Sequence, residues 1–145
     1  MPIVLTQEIK DMINGGLTTG NPMLLAVVAG DKPVLSFRGS TQVYSDSALG
    51  LWIRAGSGTT LEAIKANPNV AMMYRSATTP FLQFQGRARI ATDEAERKKI
   101  FENAPEFEQS RDTARTGTAL VIDLEKVEGV LRFGANGPEF VKMER

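Results

Sequence analysis

A chain of 145 residues suits one domain and is long enough to bury a core without covalent staples. It contains no cysteine and no histidine, which excludes disulfides, thiolate and imidazole metal sites, cysteine nucleophiles and any Ser-His-Asp triad. Its 17 basic and 17 acidic residues cancel, a poor balance for binding nucleic acid, where phosphate neutralisation supplies most of the affinity.

The opening "MPIVLTQEIKDM" lacks the basic start and long apolar core of a signal peptide, and the longest apolar run, "MLLAVVA", is too short to cross a bilayer. A cytoplasmic protein with no membrane partner is the expectation. "TQEIKDMINGG" predicts a first helix, capped by Thr6 and ended by Gly15-Gly16, with Ile9, Met12 and Ile13 on one face. "MLLAVVAGDKPVLSFRG" reads as a hairpin turning at residues 30–32, and "TQVYS" with "LGLWIR" as a second strand pair. A glycine-rich turn then leads into a helix near residues 60–66, which stops at Asn67-Pro68 before the strand "VAMMYR". "FLQFQGRARIA" alternates in polarity like a long half-buried strand. "TDEAERKKIFENAPEFEQSR" is helical, with Asp93 and Glu96 as a capping pair, a restart at Pro105, and "ERKK" as a solvated face. "TALVIDLEKVEGVLRF" and "EFVKM" form the last strands, joined at Asn136-Gly137. The total is seven or eight mostly antiparallel strands with short helices at their edges, an α+β chain that is mainly β. A small barrel hides the edges of so many strands.

The stretch "IRAGSGTTLEAIKANPNV" carries the chemistry. Thr59 and Glu62 fit a capping box, in which the threonine hydroxyl satisfies the first helical amides. The same residues also fit an anion cradle, with Ser57, Gly58, Thr59 and Thr60 offering amides and hydroxyls at the positive end of a helix and Arg54 adding a fork of donors. The stretch is neither a Walker loop nor a Rossmann fingerprint. In "SFRGSTQVY", Arg38 ends a strand beside Gly39, Ser40 and Thr41. Arg38 and Arg54 stand at comparable strand ends, where an antiparallel meander can bring them together around a phosphate monoester. Trp52, Met72, Met73, Tyr74 and Phe84 read as core or interface, with Trp52 facing away from the main core. Tyr44, Tyr74 and the carboxylates are acid or base candidates by residue type alone. No metal cluster is suggested.

The order of elements, with "LWIRAGSGTTLEAIKANPNVAMMY", "FLQFQGRARI" and a helix starting at "TDEAER", resembles the FMN-binding split-barrel family, the relatives of pyridoxamine 5′-phosphate oxidase. The resemblance covers residues 6–130. It implies one domain over residues 1–145, folded as an antiparallel six- to eight-stranded split β-barrel with flanking short helices. It also implies FMN as cofactor, bound at a homodimer interface, and oxidoreductase activity on a small organic molecule. By the same resemblance, Arg38, Gly39, Ser40 and Thr41 lie near the flavin, Arg54 falls where the family has a polar phosphate contact, and Ile53 and Ser57 beside it belong to the same cofactor-binding motif. Gly58, Thr59 and Thr60 stand where many members carry a serine followed by Arg-Lys, so the phosphate must rely more on Arg38 and Arg54. Gln83 and Gln85 would reach the flavin of the partner subunit. The arginine and histidine that hold pyridoxal phosphate in the oxidase have no match in "GVLRFGANGPEFVKMER", so vitamin B6 oxidation is not expected. The rival readings are a non-catalytic binder or store of flavin or F420, and a cofactor-free barrel. Apolar faces of "VAMMY" and "FLQFQ" are the expected dimer surface.

Overall fold

The computed structural model describes residues 2–78 and 80–145. The helix α1 (Gln7–Asn14) starts where expected, with the Thr6 hydroxyl accepting from the Ile9 amide and Gly15 closing the other end. The strands are β1 (Met23–Ala29), β2 (Lys32–Arg38), β3 (Gln42–Ser45), β4 (Ala48–Ile53), β5 (Asn69–Arg75), β6 (Phe81–Ala91), β7 (Thr118–Gly134) and β8 (Gly137–Glu144). Helix α2 (Thr59–Ala66) joins β4 to β5, while α3 (Glu94–Asn103) and α4 (Glu106–Ser110) join β6 to β7. The final turn sits one residue earlier than the Asn-Gly pair predicts: Gly134 pairs with Gly137, and Gly137 already belongs to β8.

All described neighbours are antiparallel, in the order β2-β1-β5-β6-β7-β4-β3, with β8 added to β7. Strand β7 is 17 residues long and divides its second side. Thr118 to Asp123 pair with β4, whereas Lys126 to Gly134 pair with β8. This open, curled antiparallel sheet with a few short helices is the split barrel.

Alternation sorts the side chains. In β6, Leu82, Phe84, Gly86 and Ala88 face inward. Leu82, Phe84 and Ala88 join Leu25, Leu49, Leu51, Leu61, Met72, Tyr74, Leu120 and Val127 in one core. Strand β4 is buried on both faces. Its outer side chain Trp52 packs edge-to-face on Phe101 of α3, with ring centroids 5.0 Å apart, in a second and smaller cluster. Trp52 therefore does face away from the main core, yet it is only 3% exposed. "ERKK" is not a plain solvated face. Glu96 accepts from the Tyr44 hydroxyl at 2.6 Å and from Arg89, while Lys99 and Arg97 lie over the rings of Tyr44 and Trp52. The reason is the thinness of the second cluster, which the aliphatic stems of these residues help to cover.

The large residues of "VAMMY" and "FLQFQ" mostly point inward, so the uncovered apolar surface differs from the expected one. Leu35 and Phe37 of the edge strand β2 are 66% and 68% exposed, and Met73 and Phe81 lie on the same outer side of the sheet. Register aligns two rows across four strands: Phe37, Leu24, Met73, Gln83 and Leu35, Ala26, Ala71, Gln85.

The pairing of β6 with β7 shifts register at Gln85/Gly86. A side chain on Gly86 would bring its Cβ to 2.3 Å from the Asp123 carbonyl oxygen, a backbone atom with no freedom to retreat. Gly86→Ala is expected to destabilise the fold by about 3 kcal/mol, the upper range for overpacking. Urea denaturation checks this, and an unchanged midpoint would refute it.

Candidate functional site: an arginine-lined cleft at the mouth of α2

The split leaves a cleft of about 400 Å³ where the end of β2, the end of β4 and the start of α2 meet. Its walls include Arg38, Gly39, Ser40, Ile53, Arg54, Ser57, Gly58, Thr59 and Thr60, so the structure gathers nine of the twelve predicted site residues into one hollow. Phe37, Trp52, Ala55, Leu61 and Glu108 complete it. That volume lies within the range of small-molecule sites.

Each wall has a local cause. The link from β2 to β3 continues the β3–β4 register, so Ser40 stands opposite Trp52. Its hydroxyl donates to the Trp52 carbonyl at 2.8 Å and accepts from the Trp52 amide at 3.0 Å, standing in for a backbone rung. Thr41 is buried and donates to the Arg38 carbonyl at 2.8 Å; it does not line the cleft but holds the turn that aims Arg38. Gln83 and Gln85 lie elsewhere, on the outer face of β6 in the two rows described above.

Helix α2 begins one residue before the predicted start. Gly58 is its N-cap, at φ 129°, a conformation that favours glycine, and no side chain caps the first turn. The expected Thr59–Glu62 capping box does not form, because Thr59 is already inside the helix and Glu62 turns toward Lys65, 3.7 Å away. The first-turn amides thus lack a side-chain acceptor at the positive end of a helix that borders the cleft.

Arg38 donates from Nη2 to the Thr60 hydroxyl at 2.8 Å and from Nε to the Ser36 hydroxyl at 3.0 Å, which fixes its guanidinium at the mouth of α2. Burial, and then the charge of Arg54, press the Arg38 pKa below its ordinary value, while Glu108 acts in the opposite direction. The two arginines therefore share one electrostatic space. An anion between them would relieve both their repulsion and the burial penalty.

Trp52, the only tryptophan, is held from both ends. Ser40 fixes its backbone, and its indole N–H donates to Asp112 at 2.9 Å. Asp112 also accepts from the Gly117 amide at 2.8 Å and the Thr116 amide at 3.0 Å. Tyr44 and Tyr74 are not at the cleft: one bonds Glu96 and the other is in the main core. Sequence reasoning missed Glu108 and Asp112. Both are buried acids in a stretch whose polarity reads as surface, and only the inverted pattern of "PEFEQ", in which Phe107 is 58% exposed and Glu108 9%, distinguishes one of them.

The fold agrees with the comparisons. Residues 5–131 match the family described as pyridoxamine 5′-phosphate oxidase, so the chain belongs to that family, whose fold is a flavin-binding one. HupZ of Group A Streptococcus superposes with a TM-score of 0.67 at 22% identity, covering 86% of this chain and 93% of that one. A Clostridium acetobutylicum protein related to general stress protein 26 gives 0.68 at 11% identity, over 97% and 96%. A NimC/NimA family protein, also from Clostridium acetobutylicum, gives 0.65 at 14% identity, over 95% and 99%. At these identities the structures testify to the fold. No curated protein matches the sequence.

The Asp112 network makes the cleft wall sensitive to acid. Burial alone pushes the Asp112 carboxyl upward, but the hydrogen bonds from Trp52, Thr116 and Gly117 outweigh it and hold the group below the ordinary aspartate value. A depressed native pKa gives stability that is complete above the unfolded value, about 4, and fades as pH falls through the native one. Wild type should therefore exceed Asp112→Asn in stability at neutral pH, with the gap closing below about pH 4. Denaturation curves from pH 7 to 2 check this, and a gap that stays constant would refute it.

Proposed function

We propose that the chain, as one domain over residues 1–145, is an FMN-binding flavoprotein. It works as a homodimer with the flavin at the shared interface and oxidises or reduces a small organic molecule. The observation that carries this reading is the convergence of Arg38 and Arg54 over the uncapped first turn of α2 in one cleft. The donor set fits a phosphate monoester: two guanidiniums, the hydroxyls of Ser57, Thr59 and Thr60, and backbone amides next to Gly58. These residues would hold the phosphate, and Gly39, Ser40 and Ile53 would border the rest of the ligand. FMN supplies electron transfer that no side chain of this protein provides. The protein's part is to bind, orient and exclude water.

The homodimer reading draws on the exposed rows of β2, β1, β5 and β6. Phe37 belongs both to that face and to the cleft wall, so a second copy seated there would close the cleft. Gln83 and Gln85 lie in the same rows, in keeping with the role the family resemblance implies for them. A carrier that binds flavin without turnover is the second reading. It is favoured by the placement of both tyrosines away from the cleft.

Two measurements test the proposal. Charge-assisted hydrogen bonds contribute roughly 1.5–3 kcal/mol each, so Arg54→Ala should weaken FMN binding about 10- to 100-fold. Riboflavin, which lacks the phosphate, should bind wild type and variant equally. Quenching of Trp52 fluorescence reports both titrations, and equal FMN affinity in the two proteins would remove Arg54 from the site. Sedimentation should show a dimer, and Leu35→Asp, outside the cleft, should yield a monomer that loses FMN. A stable monomer that keeps FMN would exclude a shared site.

A further inference from the structure

Helix α4 is built the wrong way round for a helix that only packs. It exposes Phe107 to 58% and buries Glu108 to 9%. A buried carboxylate is costly unless it is paired or hydrogen-bonded. Among the described residues, the Glu108 carboxylate accepts no hydrogen bond. Its ion-pair partner, Arg54, is 3.9 Å away, too far for a hydrogen bond. The other oxygen presses on the β2–β3 turn: a Cβ on Gly39 would lie 2.8 Å from it. The side chain thus reaches the arginine cleft beside Arg54 and Gly39 and is one of its walls. Core packing does not explain this placement, but the charge of the cleft does.

We infer that Glu108 is the resident counter-ion of the cleft, a carboxylate that neutralises one of its two arginines and competes with the phosphate of an incoming ligand, which keeps that ligand exchangeable. The inference rests on the reading of the cleft as a flavin-phosphate site and deepens it. Two guanidiniums and one carboxylate leave one net positive charge, set against a ligand phosphate carrying about two negative charges. The phosphate gains the arginines only by accepting a carboxylate as neighbour. Burial and the charge of Arg54 lower the Arg38 pKa and Glu108 opposes them, which agrees with a group that stabilises the pair of cations before a ligand arrives.

Removal of the negative charge should strengthen phosphate binding and leave the ring unaffected. FMN, riboflavin and inorganic phosphate are titrated into wild type, Glu108→Gln and Glu108→Ala, with Trp52 fluorescence and equilibrium dialysis as readouts. Both variants should bind FMN and inorganic phosphate about tenfold more tightly and riboflavin with unchanged affinity. Unchanged or weaker FMN binding in the variants overturns the inference. Parallel loss of FMN and riboflavin also overturns it, because Glu108 would then be accepting from ligand hydroxyls. Tighter inorganic phosphate without any FMN or riboflavin binding upholds the counter-ion and refutes the flavin reading. Two variants that both fail to fold would make Glu108 a requirement of the fold and overturn the inference.

Discussion

The structure depends on the ladder between β6 and β7. Strand β6 is paired on both sides, with β5 and β7, and β7 outruns any single neighbour on its far side. At about 3.3 Å per residue a strand of 17 residues spans more than 50 Å, so its free edge must be divided. The first half takes β4 and the second takes β8. That division splits the barrel. It also carries β4 to the place where Trp52, Ile53 and Arg54 can meet the opposite end of the sheet.

The cleft exists because the sheet's ends are brought together. β2 and β3 lie at the two ends of the strand order yet follow each other in the chain. The three residues between them must therefore cross from one edge to the other. Ser40 makes that crossing part of the sheet by hydrogen-bonding both backbone groups of Trp52. Arg38 arrives at the mouth of α2 as a consequence, and its two neutral acceptors keep it there without consuming its charge. The cations of the site are thus placed by backbone topology, and the only described carboxylate that lines their cleft is Glu108.

Much of this was legible in one dimension. Period-two alternation in "FLQFQGRARIA" identifies Leu82 and Phe84 as inward, and the arginines beside glycine-rich turns mark the cleft, because strand ends and turns obey local rules. The helix start was not legible. Whether Thr59 caps α2 or lies within it depends on one residue of phase, set by the positive φ at Gly58. Nor was the uncovered apolar surface, since both apolar stretches singled out turn most of their large side chains into the core, while Leu35 and Phe37 stay out. The buried acids were hard to read for a different reason. The partners that bring them to the cleft are far off in the chain, Trp52 sixty residues from Asp112 and Arg54 on another strand end from Glu108, and no spacing rule reaches that distance.

Asp112 has a further consequence, for motion. One side chain ties the indole of β4, the amide of Thr116 and the amide of Gly117 at the doorway of β7. The connection between α4 and β7 is irregular in shape but is bonded like a strand. Its amides at Thr116 and Gly117 are tied to the sheet through Asp112, and amides held in this way are expected to exchange with the sheet and not with a fraying surface. Glu108, four residues earlier, therefore hangs from an anchored segment. The cleft wall that Glu108 forms is thereby coupled to the barrel, through a segment whose hydrogen bonds end on β4 and at the start of β7.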